Sequence, residues 1–128
     1  MGHVAQTWQW PNFTRSEMSC RHCGEYYHDV DFMHKLQSAR TLIDKPFQIV
    51  SAHRCARHNA LVGGRPKSEH LKMAVDISLT GHNRTELRRV LKDVGFTGFG
   101  YAQTFIHVDM GRRRHWFYGP ESRKLWQS

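Results

Sequence analysis

His70, Asp76 and His107 are the residues of this chain best able to do chemistry together. They stand in two short stretches, Ser68–Ile77 and Phe105–Asp109. Two imidazoles and one carboxylate make a ligand set that suits Zn²⁺ with a fourth position left for water. Zinc lowers the pKa of such a water far enough to supply hydroxide at neutral pH, which is the chemistry of a hydrolase. A single histidine among the ten of this chain is by default a surface or satisfied core residue. The three together need their surroundings to decide.

Those surroundings predict elements that could bring the groups to one point. Ala74 to Leu79 reads as a strand carrying Asp76, with His70 in the loop before it. Thr104 to Met110 reads as a strand paired with Phe99 to Ala102, so His107 approaches from a neighbour in the sheet. Asp109 follows two residues later and shares the His107 face. It is a candidate partner for an imidazole or a candidate base for the metal's water.

Elsewhere, Thr14-Arg15-Ser16-Glu17 forms a capping-box pattern before a short helical turn. Phe32, Met33, Leu36, Ala39 and Ile43 recur at helical spacing over Asp29 to Ile43. Pro46 ends that run, and Phe47 to Ser51 reads as a strand. Residues 54–69 are a connection with turn chemistry at Gly63-Gly64-Arg65-Pro66. Asn83 caps a helix with Glu86 three residues on; Leu87, Val90, Leu91 and Val94 line its apolar face, and Gly95 stops it. A further short strand is expected near Trp116 to Tyr118. The fold class expected is α+β: one small domain with a central antiparallel sheet flanked by helices. An N-terminal arm over 1–12 precedes the domain at 13–128.

The 128 residues suffice for one core and not for two domains. A hydrophobic content of 39% with seven Phe, four Trp and four Tyr excludes a disordered chain. No apolar run approaches the length of a membrane span. The start, Met1 to Trp8, lacks the basic and apolar regions of a secretion signal, so synthesis in the cytoplasm is expected. A net charge of +8 and a pI near 9.9 point to an anionic partner. The bases cluster at Arg84, Arg88, Arg89 and Lys92, at Arg112 to Arg114, and at Arg123 and Lys124. A merely solvated basic surface explains them equally well. Three cysteines, Cys20, Cys23 and Cys55, leave one unpaired and make no disulfide framework. With His22 or His58 they could hold a second, structural zinc, but packed or free thiols are the simpler expectation.

The stretches Asn12-Phe13-Thr14, Cys20 to Gly24, Ser51-Ala52-His53-Arg54-Cys55, His58-Asn59, Val62-Gly63-Gly64, Ser68-Glu69-His70, Ala74-Val75-Asp76 and Phe105 to Asp109 follow one another in a recognisable order. In this the chain resembles the M15-type zinc peptidases, from about Asn12 to Tyr118. That group includes D-alanyl-D-alanine carboxypeptidases and phage endolysins that cut L-alanyl-D-glutamate bonds. The resemblance implies that His70, Asp76 and His107 are the zinc ligands. It implies that Arg54 faces the substrate, holding a peptide carboxylate or the developing oxyanion, and that Ser68 lies among the substrate contacts.

Two departures stand out. The family motif is usually Ser-x-His-x-x-Gly-x-Ala-x-Asp; here His70 and Asp76 are one residue closer, and Met73 stands in place of the glycine. A loss inside a strand would turn the following side chains to the other face. A shortened loop would leave Asp76 in place, and that is the expectation. Relatives often carry Glu or Asp three residues before the last histidine, where this chain has Thr104. Asp109 is the nearest substitute as base, with Glu69 and His53 behind it.

The leading expectation is thus a zinc-dependent, monomeric peptidase of peptidoglycan stem peptides, acting on the cell wall in the periplasm after holin-type release. A zinc-containing wall-binding module with little or no catalysis is the alternative, supported by the shortened spacing and by Thr104. A nucleic-acid protein, stacking bases on Trp8, Trp10 and Trp126, comes third: no helix-turn-helix or RNA-binding aromatic motif is present.

Overall fold

The computed structural model describes residues 9–19, 29–52 and 74–127. Among them are four helices and five strands: α1 (Arg15–Met18), α2 (Val30–Ile43), β1 (Ile49–Ser51), β2 (Ala74–Ser78), α3 (Arg84–Asp93), β3 (Gly98–Tyr101), β4 (Phe105–Asp109), β5 (Arg114–Phe117) and α4 (Pro120–Gln127). The strands form one sheet in the order β1-β2-β4-β3-β5. The first four pair antiparallel, as expected, while β5 lies parallel to β3 and makes the sheet mixed. This is a small α+β domain.

The helices start where their caps dictate. The Thr14 hydroxyl accepts from the Glu17 amide at 3.1 Å, and the Glu17 carboxylate accepts from the Thr14 amide at 2.8 Å, completing the capping box. Asp29 accepts from Phe32 N, and Asn83 from Glu86 N. These side chains satisfy amides that have no partner inside the helix. Gly95, at φ 111°, takes the left-handed turn after α3.

The apolar faces of α2 and α3 merge with one face of the sheet. Phe32, Met33 and Leu36 from α2, Leu87 and Leu91 from α3, and Val75, Ile77, Ile106 and Val108 from the strands belong to one buried cluster. Phe32 meets Phe96 edge-on at 5.5 Å. The alternate residues of β2 and β4, Asp76, His107 and Asp109, are thereby left for the other face.

α4 is the element that sequence patterning misses. Its eight residues are mostly polar, and a single large anchor holds them: Trp126, 4% exposed, donates its indole N–H to the Ala102 carbonyl at 2.7 Å. Gly119-Pro120 was the available signal, since proline is preorganised for the first helical position. Arg84 and Arg88 of α3 donate to the Leu125 and Trp126 carbonyls, and Arg88 also lies over the Tyr101 and Trp126 rings. Part of the basic charge therefore serves the fold. Trp10 is buried too, and its indole donates to His34 Nδ1 at 3.2 Å. Two of the three rings that a nucleic-acid reading would use for stacking are thus in the core. Among the described residues no helix is long and apolar enough to cross a membrane.

Candidate active site

The site is laid out as two rows running across the sheet. In the first, Ser51 of β1 is opposite Asp76, Asp76 opposite His107, His107 opposite Gly100, and Gly100 opposite Trp116. In the second, Ala74 is opposite Asp109, Asp109 opposite Gly98, and Gly98 opposite Arg114. Residues paired across adjacent strands put their side chains on the same face. Asp76 therefore meets His107 directly, with its Oδ1 2.9 Å from His107 Nδ1. Asp76 thus lies on the face of β2 that looks toward His107.

On the far side of the ring, His107 Nε2 is 2.7 Å from Asp109 Oδ2. Asp109 is fully buried. Arg114 grips it with both ends of the guanidinium, Nη1 to Oδ1 and Nη2 to Oδ2, each at 2.9 Å. The Gly111 amide adds a further donor to Oδ1 at 2.9 Å. Burial alone would raise the Asp109 pKa, but the hydrogen bonds from His107 and Arg114 outweigh it and hold the carboxyl at about 2. Burial alone would lower the His107 pKa; its two carboxylate partners outweigh that and raise it.

Sequence reasoning missed how Arg114 and Trp116 reach this place from β5. They do so over β3, whose residues on this face are both glycine. A Cβ on Gly98 would overlap the Asp109 carboxylate and the Arg114 guanidinium, and one on Gly100 would come within 2.7 Å of the Trp116 indole. The available signal was the alternation Gly98-Phe99-Gly100-Tyr101, because glycine inside a strand marks the close approach of another group. Trp116 packs beside His107, ring centroids 5.1 Å apart, and under Arg114 at 4.8 Å. Trp116, Tyr118 and Phe105 continue as an aromatic strip along the same face, with centroids 6.1 and 5.3 Å apart.

Arg54, Ser68 and His70, together with Glu69, His53 and Met73, lie outside the described residues, as do Cys20, Cys23 and Cys55. Thr104 is exposed just before β4, and its carbonyl accepts from the Leu79 amide. Among the described residues no three His, Cys, Asp or Glu side chains are grouped to hold a metal. The Asp76–His107 pair nevertheless fits two corners of such a site. As they stand the two side chains share a hydrogen bond of 2.9 Å, which a bound metal would replace. A ring nitrogen backed by a carboxylate on the opposite nitrogen is also the usual arrangement of a metal-binding histidine.

A family model described as peptidase M15 matches residues 11–109, most of the chain. The chain belongs to the peptidase M15 family. Among curated proteins no match is found. The match to the M15 model ends at Asp109, so that β5, with Arg114 and Trp116, lies beyond it. M15 peptidases are in general metallopeptidases, and in this one Asp76 and His107 stand side by side at the centre of the sheet.

Proposed function

We propose that this M15 peptidase is a zinc enzyme that hydrolyses peptide bonds in the stem peptides of bacterial peptidoglycan. The observation that carries the reading is the line Asp76–His107–Asp109, a carboxylate and an imidazole facing each other with a second carboxylate behind the ring. Asp76 and His107 would hold the metal together with His70. Zinc, when bound, supplies Lewis acidity and activates water. Arg54 would hold the negative charge of a substrate carboxylate or of the oxyanion.

Asp109 was a candidate base from its position in the sequence. Its surroundings favour another role. A fully buried carboxylate with a pKa of about 2, occupied on both oxygens, is a poor proton carrier at neutral pH. We assign it to orienting His107, and pass the proton-accepting role to Glu69 or His53. The wall is the proposed place of action, and exposed Arg112 is available to its anionic polymers.

The test is digestion of one defined muropeptide, with the fragments weighed by mass spectrometry. Cleavage that a chelator abolishes and zinc restores is expected, and the fragment masses distinguish a terminal D-alanine from an internal L-alanyl-D-glutamate bond. Intact muropeptide under every metal, with the protein still bound to purified wall, would replace the peptidase by a binding module.

A further inference from the structure

Asp109 can orient His107 only if its own carboxylate is fixed. Without Arg114 the carboxylate would keep, besides the ring, only the Gly111 amide on Oδ1, a single donor that does not define its plane. Here two parallel N–H···O bonds from Arg114 define the plane of the carboxylate, which a single point charge would not do. Arg114 is fixed in turn. Its amide donates to the Thr97 carbonyl at 3.1 Å, its guanidinium lies over the Trp116 ring, and Nη1 also donates to the Arg112 carbonyl at 3.0 Å. Gly98 leaves the gap through which it reaches Asp109.

We propose that Arg114 is a positioning residue of the site: by clamping Asp109 it keeps the proton of His107 on Nε2 and leaves Nδ1, on the Asp76 side, as the donor atom. The site is then completed from β5, outside the stretch that the family model matches. This inference rests on the reading of His107 as a metal ligand, and it assigns Arg114 no contact with substrate.

The experiment compares wild type with Arg114→Met, Arg114→Lys and the neighbouring Arg113→Ala, using zinc itself as the probe in competition with a chromophoric chelator. Outer partners of a ligating histidine typically contribute 10–100-fold in metal affinity, so a loss of about that size is expected in Arg114→Met. Arg114→Lys, which keeps the charge without the fork, should fall between, and Arg113→Ala should match wild type. Long-range ¹H–¹⁵N spectra of the zinc-free protein, with the ring neutral, should show His107 protonated on Nε2 in wild type and mixed in Arg114→Met.

Wild-type zinc affinity and an unchanged His107 spectrum in a folded Arg114→Met would overturn the proposal and leave Arg114 a structural ion pair. If Arg114→Met does not fold, Arg114→Lys decides: wild-type affinity and spectrum there would overturn it. A wild-type protein that binds no zinc would sink the metal reading instead, while the zinc-free spectra would still judge the hold of Arg114 on the ring.

Discussion

Replacing Asp109 by Asn tests whether this buried carboxylate is held as a charged, structural group. The substitution keeps the shape and removes the charge. In the fold the Asp109 pKa is depressed from 3.8 to about 2. At about 1.4 kcal/mol per unit, that depression corresponds to roughly 2 kcal/mol of stability near neutral pH. For a chain of this length the loss would lower Tm by about 7 °C. The sign of the pH dependence follows from the direction of the shift. A carboxyl whose folded pKa is depressed contributes fully above its unfolded value and loses the contribution as pH falls through its folded value. The gap between wild type and Asp109→Asn should therefore be widest near neutrality, start to close below 3.8, and be largely gone near pH 2. Urea unfolding of the zinc-free proteins at a series of pH values reads it directly. Equal stability near neutrality, or a gap that does not narrow in acid, would refute the reasoning.

Other perturbations probe separate links. Gly98→Ala should force the Asp109–Arg114 clamp apart, costing about 1–3 kcal/mol as overpacking does, and should weaken zinc binding as well; calorimetric unfolding with a zinc titration checks both. Arg54→Ala should retain zinc and lose turnover, measured as metal stoichiometry against muropeptide cleavage. Burial raises the Tyr101 pKa above 10.0 against the opposing charge of Arg88. Its contribution is then full below that value and lost as pH rises through the folded pKa. Tyr101→Phe should consequently lose less stability than wild type in strongly alkaline buffer, by urea unfolding.

Much of this arrangement is legible in the sequence because local rules decide it. Thr14, Asp29 and Asn83 mark the helix starts through their own side-chain chemistry, and the period of Phe32, Met33 and Leu36 marks the buried face of α2. The alternation in Phe105 to Asp109 puts His107 and Asp109 on one face, and register supplies Asp76. What escapes is decided by contacts far apart in the chain. The direction of β5 depends on pairing with β3, and α4 depends on Trp126 finding the Ala102 carbonyl. Arg114 looks like one more member of a basic cluster until Gly98 is seen to open its path to Asp109. Charge counted along the sequence does not separate a clamp from a solvated surface.

The most direct measurement is an anomalous difference map at the zinc edge from crystals of the zinc-loaded protein. One strong peak within coordination distance of Asp76 Oδ1 and His107 Nδ1, with His70 on a third side, is the expected result. No peak there, or zinc held instead by the cysteines, would contradict the assignment of this site.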